Sequence, residues 1–154
     1  MDDQLLETWQ IHDRINRYLL DAIPEAALAN MASSKGRGVG EQFAHIHDVR
    51  LMWLKAAAPE LLGGLEKYPK EAATDKGRLT KSLAQSGEAI SALLKKAIAS
   101  GGKVKNFKPH VTAFLGYLIS HESHHRGHIG LILKQTGNPL DKKTAFGLWE
   151  WGVR

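Results

Sequence analysis

Four long segments of this chain space their apolar residues every three to four positions, and a strict apolar–polar alternation is nowhere sustained. That pattern excludes most sheet-based folds before any other property is weighed. The punctuation sets the lengths. The first helix is expected from about Gln4 to Asp21, limited by Pro24 in "DAIPEAAL". "SSKGRGVG" reads as a loop, and a second helix follows from about Gly40 to Ala57, before Pro59. The connection "LLGGLEKYPKEAATD" has room for a short helical turn. A third helix covers about Lys76 to Ala99, with Asp75 as its N-cap and Gly101-Gly102 as its stop. The fourth begins near Pro109, a residue suited to a first turn, and runs to about Gln135. Four amphipathic helices of this length predict an all-α four-helix bundle, residues 1–154 forming one domain with a short aromatic tail, "TAFGLWEWGVR".

Composition narrows the function classes. Apolar residues make up 43% and charged residues 24%, the balance of a chain that folds around a core in water. No apolar run is long enough for a membrane span, and the acidic start "MDDQLLETWQIHD" is unlike a signal peptide, so the expectation is a cytoplasmic protein. The net charge of +5 is dispersed. Its densest piece, "GKVKNFK", carries Lys103, Lys105 and Lys108 without the aromatic interleaving of a nucleic-acid surface, so no nucleic-acid partner is expected. Cysteine is absent, which removes disulfides, thiolate nucleophiles and cysteine-based zinc sites together.

The histidines are the unusual feature. "YLISHESHHRGHIGLIL" places four of them on one helix, and the bundle stripe through it reads Val111, Phe114, Leu118, His121, His125, His128, Ile132. His124 lies about 100° off that row, at its margin. The first helix has a similar interrupted stripe: Leu5, Trp9, His12, Asn16, Leu19, Ile23. On the second helix His45 and His47 cannot share a face. His45 lies with Gln42, Ile46, Val49, Met52 and Trp53, and is preferred; His47 lies beside Arg50 and is the fallback. Phe43, Leu51 and Leu54 occupy the second side, where a dimer interface would fit. The third helix offers Leu79, Leu83, Ser86, Ile90 and Leu93 or Leu94 as a supporting wall, and Glu122, off the stripe, reads as a solvent-facing residue.

Three helices thus direct His12, Asn16, His45, His121, His125 and His128 toward one interior. Buried ring nitrogens without partners cost about 1–3 kcal/mol each, and a shared cation relieves several at once. Two histidines four apart on a helix present ligands to the same side, and a third from a facing helix completes a set. The spacing alone is weak: chance gives about 0.4 such pairs in a chain of this histidine content. The weight comes from the interior phase and the histidines on other helices.

These residues resemble the DinB-like superfamily of small four-helix-bundle metalloproteins. The likeness rests on "GEQFAHIHDVRLMWL", on "HESHHRGHIGLILKQTG" and on the ending "FGLWEW". It spans nearly the whole chain. It implies metal ligands at His45, His121 and His125, with Arg126-Gly127 following the helix-4 pair. The family's usual Gln after Arg-Gly is His128 here, either a fourth ligand or a group facing substrate. The resemblance further implies a divalent metal, zinc or nickel, a homodimer, and in some members transfer of a low-molecular-weight thiol (bacillithiol, mycothiol or glutathione) to an electrophile. Metal-dependent hydrolysis is the nearest rival, and metal binding without turnover the third reading. A three-histidine site leaves room for an exogenous ligand, a water or a thiol, with His128, His12 and Asn16 as candidates to orient substrate or shuttle a proton.

Overall fold

The computed structural model describes residues 2–154. Four long helices carry it: α1 (Asp2–Ala22), α2 (Val39–Ala57), α3 (Lys76–Ala99) and α4 (Val111–Gln135), followed by a short α5 (Lys142–Gly147) and a final 3₁₀ turn at Trp151–Val153. The described residues include no strand, only an isolated bridge between Val104 and Phe107. The chain is thus all-α, a bundle with long connections. No helix among the described residues is long and apolar enough to cross a membrane.

The helix ends follow from their capping chemistry. The Asp75 carboxylate accepts the Arg78 N–H at 2.9 Å and starts α3, while Gly101 and Gly102 leave it at φ +78° and +76°. At α4 the expectation of Pro109 in the first turn is corrected. The helix begins at Val111, and the cap is His110, whose ring accepts the Ala113 N–H at 3.2 Å. The fourth histidine-bearing segment therefore has a histidine at its entrance as well as along its length.

Two apolar clusters occupy the two ends of the bundle. One gathers Leu19, Leu20 and Ile23 of α1 with Phe43 and Ile46 of α2, Leu79 and Leu83 of α3, and Ile129, Ile132 and Leu133 of α4. The other gathers Trp9, Leu51 and Leu54, Ile90, Leu93 and Leu94, and Val111, Phe114, Leu115 and Leu118. The order in which each helix meets these clusters gives its direction. α1 and α4 run one way, α2 and α3 the other. The link from α2 to α3 must therefore travel back along the bundle. It does so beside α2, with two 3₁₀ turns, and is tied down where the Tyr68 N–H donates to the Asp48 carboxylate at 2.8 Å.

The predicted stripes of α1 and α3 are buried, except for the half-buried Leu5 at the start of α1. That of α2 is rotated. Phe43, Ile46, His47, Arg50, Leu51 and Leu54 face the core, whereas Met52 is 53% exposed. The apolar residues assigned to a dimer contact are therefore part of the protein's own interior. On α4 the interior row is Val111, Leu115, Leu118, Glu122, His125, Ile129 and Ile132. It shares Val111, Leu118, His125 and Ile132 with the expected row, whose Phe114 is also buried, but takes Glu122 and Ile129 inward in place of His121 and His128. Both rows have the three-four spacing of a bundle, so spacing does not separate them.

Candidate metal centre

Between the two apolar clusters lies a belt of buried polar side chains, and its anchor is Glu122. This residue was expected at the solvent face, yet it is 1% exposed. The correction has a specific cause. Arg50, fully buried on α2, reaches it with two parallel hydrogen bonds, Nε to Oε1 at 2.6 Å and an η nitrogen to Oε2 at 3.0 Å. An arginine fork on a carboxylate is among the few arrangements that offset the desolvation of two charges. Burial alone would raise the Glu122 carboxyl; Arg50 and the His12 hydrogen bond overcome it and hold the group well below the usual carboxylate range. Burial likewise opposes the charge on Arg50, but Glu122 and Asp13 keep it firmly protonated.

The rest of the belt is nearly closed. The remaining η nitrogen of Arg50 donates to the Leu83 carbonyl at 2.9 Å and lies 3.0 Å from the Asp13 carboxylate. Asp13 packs so tightly on α3 that a methyl group at Gly87 would fall 2.5 Å from its carboxylate oxygen. His12 and Asn16 also donate to Glu122, at 2.6 and 2.8 Å. Arg126 bonds the other edge of each, reaching His12 Nδ1 at 3.2 Å and the Asn16 carbonyl at 2.7 Å. His12 is thereby fixed with its proton on Nε2. Burial, the largest influence, lowers its pKa against the pull of Glu122, so the ring donates to the carboxylate as a neutral imidazole. His12 and Asn16 are fully buried within this network and line none of the clefts around the triad described next.

One step around α4 the histidines form a separate group. His45, His121 and His125 each offer a ring nitrogen, and these atoms all lie within 4.8 Å of one another. The rings of His121 and His125 are 4.6 Å apart between centroids, and His45 is 4.6 Å from His125 and 5.4 Å from His121. The α4 pair meets through its Nε2 atoms at 3.2 Å. Two nitrogens bound to one tetrahedral zinc ion at about 2.05 Å would be separated by about 3.3 Å.

Gln42, three residues before His45, sets the His125 tautomer. Its side-chain N–H₂ donates to the Arg37 carbonyl at 3.4 Å, which turns its oxygen toward His125. His125 Nδ1–H donates to that oxygen at 2.5 Å, leaving Nε2 as a lone-pair donor toward the triad. Nδ1 of His121 is buried and has no hydrogen-bond partner.

The electrostatics favour neutral rings, the form that binds a cation. Burial lowers the pKa of all three. His125 is pushed down to about 3, with the neighbouring rings and Arg37 adding to burial. For His45, Arg37 is the next contributor, opposed by Asp48; for His121, Glu122 pulls the other way and loses. No thiolate or carboxylate belongs to the set. A borderline metal that accepts imidazole, such as zinc or nickel, matches these donors better than calcium or magnesium, which take oxygen.

The other sequence candidates sit elsewhere. His47, the fallback ligand, has both ring nitrogens engaged by the carbonyls of Ser82 (3.1 Å) and Glu66 (3.0 Å), where it pins the crossover connection to α2 and α3. His128 was expected in the interior row, but α4 is turned so that Ile129 takes that place and His128 is exposed. Its ring lies tilted at 53° against that of exposed His124, 4.3 Å between centroids, and both rings line a cleft of about 430 Å³ that has His125 in its wall. Two contributors escaped the sequence reading altogether: Gln42 as the His125 acceptor, and Arg50 as the counter-charge to Glu122. Gln42 sat on the same helix arc as His45, three residues earlier, which was a usable signal. Arg50 offered none without knowledge of its partner.

No curated protein and no solved structure matches this chain. The DinB family pattern, by contrast, matches residues 1–141, which include all four long helices and the three clustered histidines. The chain therefore belongs to the DinB family.

Proposed function

We propose that this protein is a divalent-metal-dependent enzyme that activates a small thiol for transfer to an electrophile, with His45, His121 and His125 as the metal ligands. The observation that carries the reading is the His121–His125 pair, Nε2 to Nε2 at 3.2 Å, with the His125 lone pair directed by Gln42. Zinc or nickel held by three neutral ligands would keep most of its charge and stabilise a thiol in its nucleophilic, deprotonated form, a nucleophile that this cysteine-free chain does not carry itself.

The protein's own groups divide the remaining work. Gln42 orients His125. His128 and His124, at the mouth of the adjoining cleft, are positioned to accept the proton that an incoming thiol gives up. His12 and Asn16 act as positioning residues through Glu122, fixing the neighbouring turn of α4 on which His121 stands. A cytoplasmic homodimer using a small-molecule substrate, with no nucleic-acid partner, completes the proposal.

Metal analysis of untagged protein should find one ion per chain in the wild type and none in His125→Ala. Equal metal in the two proteins would overturn the site. A panel of cellular thiols with an electrophile should then give thiol-dependent turnover in the loaded wild type. Cleavage of esters or amides without thiol would reassign the site to hydrolysis, and no turnover with either would leave metal binding alone.

A further inference from the structure

The cleft of about 430 Å³ beside His125 has an uneven charge. The loop at one side contributes Ser33, Ser34, Lys35 and Arg37; α4 contributes His124 and His128 on the other. No aspartate or glutamate lines it. The second cleft touching the triad, about 390 Å³ and reached through His45, shares Arg37 with the first but differs in its acids: Glu41 and Asp48 stand among its basic residues. Among the described residues, neither Lys35 nor Arg37 forms an ion pair.

The loop is built to keep these two cations at the cleft. The Lys35 N–H closes a turn onto the Ala32 carbonyl at 3.0 Å, and Lys35 itself takes φ +68°, a left-handed conformation unusual for a residue with a β-carbon. Gly36 follows at φ +95°. The Arg37 carbonyl is then held by Gln42, the residue that also holds His125. Arg37 lines this cleft together with His125 and the neighbouring cleft together with His45, so it stands between the two openings onto the triad. Under the reading that the triad holds a divalent ion, this corner carries a cation with three uncharged ligands, two unpaired basic side chains and no facing carboxylate. Glu122, the nearest acid along α4, is already committed to Arg50. Such a field favours a ligand that brings negative charge of its own.

We infer that this cleft is a subsite for an oxyanionic group, carboxylate or phosphate, on the small molecule that reaches the histidine triad. Lys35 and Arg37 supply the charge, the hydroxyls of Ser33 and Ser34 and the rings of His124 and His128 supply hydrogen bonds, and the substrate's reactive end lies toward His125. The substrate class is thus an acidic small molecule rather than a neutral or cationic one.

The test is calorimetric binding of succinate and, separately, methyl phosphate to the zinc-loaded protein at low ionic strength. Wild type is compared with Lys35→Gln/Arg37→Gln, and zinc content and melting temperature are recorded for both. The expected result is binding of at least one anion by the wild type, weakened about tenfold or more in the double variant at equal zinc content. The arm with the stronger binding identifies the group as carboxylate or phosphate. No measurable binding of either anion, or equal affinity in the two proteins, overturns the inference. The metal reading fails separately. A wild type that takes up no zinc but still binds the anion more tightly than the double variant would remove the metal and keep the subsite; zinc uptake without anion discrimination would do the reverse.

Discussion

The belt around Glu122 and the triad around His125 stand on successive residues of α4, and they satisfy buried polar groups in opposite ways. In the belt Glu122 and Asp13 face the Arg50 charge, and Arg126 closes the other edge with hydrogen bonds to the neutral Asn16 and His12. In the triad the rings are neutral, they face one another, and one nitrogen of His121 has no partner. A set of groups that satisfy each other gives rigidity. A set left incomplete has capacity for something else. The difference teaches where to look for function in this bundle: the belt's one buried atom without a hydrogen bond, Asp13 Oδ1, still lies 3.0 Å from the Arg50 charge, whereas the triad's neutral rings have no counter-charge and face one another.

Breaking the belt should have the largest effect. Glu122→Ala leaves the Arg50 guanidinium buried without its carboxylate, a change that typically costs about 3–5 kcal/mol. Urea unfolding of the metal-free protein measures it. A midpoint equal to that of the wild type would show that the belt does not hold α2 against α4. The triad responds differently. Gln42→Leu keeps a buried side chain of similar size but removes the acceptor that orients His125, so zinc affinity should fall about 10- to 100-fold while stability changes little. Competition with a chromophoric chelator reads the affinity, and an unchanged value would mean that helix packing alone orients the ring.

Acid sharpens the contrast further. In the zinc-free protein His125 stays neutral down to about pH 3, whereas the unfolded chain takes up a proton near the ordinary value of 6.5. The unfolded state therefore binds more protons across that window, and stability present above pH 6.5 is lost as the pH falls through it. His125→Ala removes this contribution, so its unfolding free energy, measured by urea titration from pH 7 to pH 4, should decline less steeply than the wild type's. Parallel profiles would contradict the neutral-ring description. The smallest effect belongs to His128→Ala, which should leave metal content and melting temperature unchanged, because the ring is exposed, meets the triad only edge-on at His125, 6.2 Å between centroids, and adds no ligand atom to the cluster. Loss of metal in that variant would make His128 a ligand after all.

Much of this was legible in the sequence, and the gaps have physical reasons. Helix number and most boundaries follow from Pro, Gly and capping residues, whose effects are local. His121 and His125 could be grouped because histidines four apart necessarily share a side, and His45 joined them through its preferred face on α2 and the family resemblance. The errors occurred where two faces of one helix were equally plausible. On α2, Phe43, Leu51 and Leu54 compete with Ile46, Val49 and Met52, and the partner that decides between them, Glu122, lies on α4. On α4, Glu122 was placed outside because it lies off the stripe through His121 and His128, and no local feature reveals that an arginine is waiting there. The interior placement of His128 failed for the same reason: His128 differs from Ile129 by one step of rotation, and the arginine fork on Glu122 favours the inward turn of that face.

The direction of the helices has a consequence for how the triad comes into being. α2 carries one histidine and α4 the other two, and α3 with its returning connection lies between them in the chain. The donors therefore meet only after the last long helix has docked antiparallel to α2, a contact distant in sequence of the kind that forms slowly. A partly folded chain lacking that contact presents at most the His121–His125 pair of α4, without the third donor from α2. Metal capture then reports completion of the bundle, and the ion stabilises the finished protein by mass action without scaffolding its assembly.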